Sequence, residues 1–139
     1  MLAASRSGGD PPIGPSKQTF WILPKIAEVD AALCAGVAAA VFEAHPELCF
    51  WEANGRWPLL ASKKTGPGRE ARAALLDRIG GPQLLQLMGE RPPKGAQVDD
   101  LLDAGIACWS AGRLASGEAV AVPEGEITDG QGLRMAVWR

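Results

Sequence analysis

"VDDLLDAGIACWSAGRLASG", residues 98–117, is the most regular segment of the chain, and its reading decides the fold. Val98, Leu101, Leu102, Gly105, Ile106 and Trp109 recur at three- and four-residue intervals, which puts them on one face of a helix. Three aspartates, Asp99, Asp100 and Asp103, stand in its first turns. Acidic residues near a helix N-terminus are favoured by the macrodipole and by capping, and that explanation fits them equally well. At roughly 100° per residue, Asp99 and Asp103 lie at the border of the apolar face, and Asp100 turns further towards solvent. Asp103 also adjoins Ala104 and Gly105, small residues that let a backbone pack closely. A carboxylate beside a packed helix face suits a metal site better than a solvated cap.

Two short strand candidates follow this helix, near residues 118–122 and 132–138, across a turn containing Asp129-Gly130. A third lies upstream in "VFEAHPELCF", residues 41–50. The alternation of Val41, Glu43 and His45 with Phe42 and Ala44 predicts a strand over 38–44, central in the sheet and crossed by the 98–117 helix. Glu43 and His45 then share one face, and Pro46 ends the strand. Residues 47–55 read as a short helix or an irregular segment closed by Asn54-Gly55. "PGREARAALLDRIGG" predicts a helix over 68–79, with a separate short helix in "PQLLQLMG". Ser16 is placed to cap a further helix over 16–35, in which Pro24 is expected to introduce a kink or a division and Gly36 to act as the stop. Residues 1–15, rich in Gly, Pro and Ser, read as a tail with little order, and residues 16–139 as one domain.

The totals narrow the function classes. A chain of 139 residues suits one domain. A net charge of −2 gives no global attraction to nucleic acid or membrane. Phosphate binding would need a local basic patch, and Lys63 and Lys64, before a Gly-Pro-Gly turn, are the candidates; a solvated loop explains them too. Cys34, Cys49 and Cys108 are odd in number and lack C-x-x-C spacing, so they read as reduced, small core residues of a cytoplasmic protein. No apolar block marks a signal peptide or a membrane span. The five tryptophans are scattered, and Trp57 is the best placed to stack on a base.

"FWILPKIAEVDAAL", "VFEAHPELCF", "SKKTGPGREARAALL" and "DDLLDAGIACWSA", in this order and closed by "DGQGLRMAV", resemble the domain of unknown function 429 family, whose members are predicted RNase-H-like nucleases. The resemblance covers residues 16–137. "DLLDAGIA" is also similar to the last helix of Holliday-junction resolvases, D-x-x-D-A-x-x-x-A, another branch of the same fold. The resemblance implies an α/β RNase-H-like fold and a metal-dependent nuclease, with Mg²⁺ or Mn²⁺ as cofactor and nucleic acid as partner. RNase-H-like nucleases hold two divalent cations about 3.5–4 Å apart on clustered carboxylates. By the resemblance, Glu43 is the central ligand, facing Asp100 and Asp103; the helical wheel prefers Asp99 to Asp100, and that choice stays open. His45 reads as a structural histidine beside Pro46 or as a general base, and Glu47 as a turn-stabilising or supporting carboxylate. Lys25, Glu28 and Asp30 belong to the family pattern, although an ion-paired helix surface explains Lys25 and Glu28 as well.

Family members carry a first strand with an aspartate and a D-x-P-I-G-L-P motif upstream. Here "DPPIGP" at residues 10–15 is only a faint echo, directly adjoining Ser16. The expectation is therefore the C-terminal part of a family domain without its N-terminal strands, as a homo-oligomer or with a partner supplying them. The alternative reading is a non-catalytic α/β module that keeps the family shape for binding or assembly.

Overall fold

The computed structural model describes residues 14–36, 41–88 and 92–139. The chain falls into two units, Met1–Val41 and Phe42–Arg139. The expected tail lies almost wholly outside the described residues, as do positions 38–40 of the expected 38–44 strand.

The first unit holds helix α1, Lys17–Cys34. Ser16 caps it, its Oγ accepting a hydrogen bond from the Thr19 backbone N–H at 3.1 Å. Pro24 lies inside α1 instead of dividing it, since proline costs a helix one hydrogen bond but already holds a helical φ. Gly36, at φ +101°, follows the end of the helix, where a left-handed residue closes the last turn.

The second unit is a mixed α/β assembly. It comprises β1 (Glu43–Ala44), α2 (Pro46–Ala53), α3 (Gly66–Met88), α4 (Val98–Ala115), β2 (Ala121–Val122) and β3 (Val137–Trp138). The sheet order is β1-β3-β2, with β1 parallel to β3 and β2 antiparallel to it. Glu43 stands opposite Val137, and Ala121 opposite Trp138. Paired hydrogen bonds between Val120 and Arg139, at 2.8 and 3.0 Å, extend the antiparallel ladder.

This topology corrects two expectations. The strand carrying Glu43 is two residues long and lies at the sheet edge, and β3 is central. Its residues Glu43 and Ala44 are both exposed, so the alternation read at 41–45 does not separate a buried from a solvated face. His45 is the N-cap and Pro46 the first residue of α2, which closes the strand on its C-terminal side. The second correction is in α3, which runs unbroken through Gly80-Gly81-Pro82, where two helices were expected. The following Leu-Leu-Gln-Leu-Met run consists of strong helix formers, which favours continuation beyond the proline.

The core is where three helices meet. Cys49 and Phe50 from α2, Leu75 and Leu76 from α3, and Leu102 and Ile106 from α4 form one buried cluster, with Ala53, Leu59, Ala73, Ile79 and Trp109 packed against it. The apolar stripe of α4 meets this cluster through Leu102, Gly105 and Ile106, while Val98 at its N-terminus is exposed. Of the three cysteines only Cys49 is a core residue, its Sγ lying 3.5 Å from the Trp138 carbonyl oxygen; Cys34 and Cys108 are exposed. Cys108 follows Ala107 on the outer side of α4, where helical periodicity turns it away from Ile106.

Candidate functional site

The loop between α2 and α3 carries the basic residues, and its shape follows from a few local bonds. Ser62 O accepts from the Thr65 N–H at 2.9 Å and from Thr65 Oγ1 at 2.8 Å, closing the turn Ser62-Lys63-Lys64-Thr65. Thr65 in turn caps α3, its Oγ1 accepting from the Gly68 N–H at 3.2 Å. Gly68 is required there: a Cβ at this position would lie 1.9 Å from the Ser62 carbonyl oxygen. A buried arginine locks the turn onto the body of the unit. Arg72 is 3% exposed. Its Nη1 donates to Ala61 O at 3.1 Å and Gly68 O at 3.0 Å. Its Nε and Nη2 grip both Glu47 oxygens at 3.2 and 2.7 Å, and its guanidinium lies over the Phe50 ring.

The turn delivers Lys63 to α4. Lys63 Nζ donates to Asp103 Oδ2 at 2.7 Å, with both side chains only partly exposed, 31% and 23%. The other oxygen, Asp103 Oδ1, is closed off from solvent and has no hydrogen-bond partner among the described residues. The hydrogen bond to Asp103 raises the Lys63 pKa above its ordinary 10.5; burial opposes the rise, and the charges of Asp103, Glu47 and Asp99 add to it. The site is therefore two ion pairs, Lys63 with Asp103 and the buried Arg72 with Glu47, held side by side by the turn, with the charge of Asp99 also acting on Lys63.

Asp100 does something else. Its Oδ2 accepts from the Gln97 backbone N–H at 2.7 Å and completes a capping box at the start of α4. Of the two aspartates left open by sequence, Asp99 is the one whose charge acts on Lys63, and Asp100 serves its own helix terminus. Glu43 is exposed on β1. His45 is the N-cap residue of α2 and makes no side-chain capping bond. Together with Glu47, Leu48, Phe50, Trp51, Pro58 and Leu59 it lines an open, mainly apolar hollow of about 400 Å³. Lys64 is exposed in the turn, and Trp57 is 74% exposed beyond α2.

Among the described residues, no three His, Cys, Asp or Glu side chains come together in a group that could hold a metal ion. The donor chemistry around Asp103 agrees with that: Oδ2 is taken by an ammonium and Asp100 by a helix cap. These residues by themselves do not fit a two-cation cluster.

Sequence reasoning missed Arg72 and a second charged cluster. Arg72 had a visible signal, because it falls on the apolar stripe of α3 with Leu75, Leu76 and Ile79, where a charge must be paired. The second cluster surrounds Glu52, whose side chain is 10% exposed. Arg56 lies 3.4 Å away, Arg113 3.9 Å away, and Arg139 pairs with it directly. Arg113 stacks on Trp109 and Arg139 on Trp51. Arg56 follows Glu52 at a spacing of four, but no local pattern announces Arg113 and Arg139, which lie far along the chain.

Fold and site together define a small α/β protein with a carboxylate–lysine site between its last long helix and a basic turn. The family model described as "Protein of unknown function (DUF429)" matches residues 3–127, and the chain belongs to that family. No curated protein and no solved structure matches the chain. Among the described residues no helix is long and apolar enough to cross a membrane.

Proposed function

We propose that this chain supplies the α4 side of a phosphodiester-cleaving site of the RNase-H-like kind. In this reading Asp103 is the principal carboxylate and Asp99 its neighbour. The observation that carries it is the state of Asp103, a half-buried carboxylate with one oxygen on Lys63 and the other closed off without a partner. A carboxylate kept purely for stability is normally satisfied at both oxygens. The rigid turn held by Arg72 and Gly68 fixes Lys63 at one end of the site, and exposed Lys64 beside it is free to meet a phosphate. Glu43, on the sheet edge, is a carboxylate that a neighbouring strand could bring into use.

Mg²⁺ or Mn²⁺ is the proposed cofactor, with ligands beyond Asp103 and Asp99 coming from outside the described residues or from another chain. A second copy is the simplest donor. The edge strand β1 and the exposed Phe20, Trp21, Ile22, Ile26 and Val29 of α1 support self-association. The second reading, a non-catalytic binding or assembly module, draws on the absence of a three-ligand group among the described residues.

One assay separates the readings. Purified protein with Mn²⁺ is tested over a concentration series against single-stranded, duplex and branched DNA and RNA, beside size-exclusion chromatography. Weak cleavage that rises with self-association and is lost in Asp103→Asn is expected. Cleavage equal in wild type and Asp103→Asn would overturn the assignment. Robust cleavage by a monomer, abolished by Glu43→Gln, would show a complete site within one chain. No cleavage at any oligomeric state would favour the binding module.

A further inference from the structure

We propose that the apolar hollow beside the basic turn is a binding site for one unpaired nucleotide, its base seated in the hollow and its phosphate on Lys64. The inference deepens the proposed function by naming what the site holds, and it rests on that reading only for the source of the nucleotide.

The hollow measures about 400 Å³, within the range of roughly 300–1,000 Å³ in which proteins hold small ligands. Its walls differ in chemistry. Leu48, Phe50, Pro58 and Leu59 supply apolar surface, and Trp51 an aromatic wall that is steadied by Arg139 over its ring. Glu47 supplies a hydrogen-bond acceptor. Arg72 holds both of its oxygens, which fixes the direction of the carboxylate, yet the Glu47 side chain is still 41% exposed. A carboxylate offers about four lone-pair sites, so Glu47 keeps capacity for the N–H groups of a ligand. His45 lines the same hollow, and its side chain makes no hydrogen bond among the described residues.

The neighbouring charge has the opposite sign. The guanidinium that grips Glu47 also binds the carbonyl oxygens of Ala61 and Gly68, on either side of the Ser62–Thr65 turn. One side chain thus sets the acceptor wall of the hollow next to the two lysines. Lys63 is committed to Asp103, and Lys64 is exposed. A ligand that fits both parts has a flat body with N–H donors on its edge and an anionic group a few bonds away. A nucleotide has that form. A base paired and stacked in a duplex offers neither its faces nor its donor edge, so the base must be unpaired. Trp57 adds a platform: it precedes Pro58, is largely exposed, and its carbonyl oxygen accepts from Asn54 Nδ2 at 2.9 Å. The next base of a strand can stack there.

The test is calorimetric titration of the full chain with 5′-GMP, 5′-UMP, guanosine, inorganic phosphate and a short single-stranded oligonucleotide, each variant checked for native circular dichroism. GMP leads because guanine presents adjacent N–H donors to a carboxylate. GMP is expected to bind, with UMP about fivefold weaker and inorganic phosphate at least about tenfold weaker. Leu48→Trp fills the hollow and should weaken GMP at least about tenfold. His45→Trp fills it from an exposed position that makes no capping bond, and should do the same even where Leu48→Trp does not fold. Lys64→Ala should weaken GMP about threefold and leave guanosine unchanged. If the nucleotide belongs to a strand, Trp57→Ala weakens the oligonucleotide about fivefold or more and spares GMP. A free nucleotide as the ligand instead leaves the oligonucleotide no tighter than GMP.

Asp103→Asn should leave GMP binding unchanged, so that this inference and the cleavage reading fail separately. GMP binding without cleavage of any nucleic acid leaves the nucleotide site standing and removes the other. Absence of GMP binding, or equal binding in both filled variants, would overturn the nucleotide site even where Asp103-dependent cleavage is found. Filled variants that lose self-association and keep their GMP affinity would overturn it too, and would mark the hollow as a protein contact.

Discussion

Asp103 and Glu52 are both carboxylates drawn into the second unit, and their surroundings differ in sign. Glu52 is met by Arg56, Arg113 and Arg139, three guanidinium groups on one carboxylate. Asp103 has Lys63 as its one partner, and the charges of Glu47 and Asp99 act on the same lysine. The Glu52 cluster carries an excess of cations, is flanked by tryptophan faces, and ties the C-terminal strand region to α2 and α4. In the Asp103 cluster the carboxylates are in excess. Each cluster keeps one buried polar atom without a partner among the described residues, Arg113 Nη1 in the first and Asp103 Oδ1 in the second, so the two differ in their balance of charge and not in completeness of pairing.

The comparison breaks most visibly at its supports. Arg72→Met removes the donor of four hydrogen bonds and leaves Glu47 and two carbonyl groups unpaired. Urea unfolding should show a loss of about 3 kcal/mol, and a loss under about 1 kcal/mol would show that the turn does not depend on this clamp. Glu52→Gln leaves three arginines around a neutral amide and should cost about 2–3 kcal/mol. If it costs no more than a typical surface change, the second cluster is not holding the fold together. Gly68→Ala forces the backbone at Ser62 to move and should cost about 1–3 kcal/mol.

At the other end of the scale, Lys63→Met should change stability by less than about 1 kcal/mol, because the pair with Asp103 is partly exposed. Its pH dependence has a definite sign. The folded-state pKa of Lys63 is raised by Asp103, so the stabilisation is fully present below the ordinary lysine value of 10.5 and is lost as pH rises through the folded-state value. Wild type and Lys63→Met should therefore differ at neutral pH and converge in strong alkali. A difference that widens above pH 10.5 would contradict the pairing.

What could be read from the chain divides along physical lines. Helical periodicity put Leu102, Gly105 and Ile106 on one face, and they are buried together. Ser16 was legible as a cap because the capping bond spans three residues. The sheet was harder to read: its strands are two residues long, and their order depends on pairing between distant segments. The same holds for the charged groups. Lys63 and Asp103 are 40 residues apart, Arg72 and Glu47 25, and Arg139 and Glu52 87. Individual members could be singled out by type, but no local pattern says which cation meets which carboxylate. The pairing of Lys63 with Asp103, and the use of Asp100 as a cap, belong to this second kind.

The central proposal is that Asp103 serves binding and Glu52 serves the fold. The most direct measurement is the unfolding free energy and the Mn²⁺ dissociation constant of Asp103→Asn, read beside Glu52→Gln. Asp103→Asn is predicted to keep its stability to within about 1 kcal/mol, since it removes a buried, unpartnered charged oxygen, and to weaken Mn²⁺ binding at least about tenfold. A protein that unfolds as readily as Glu52→Gln, with Mn²⁺ binding unchanged, would contradict the account.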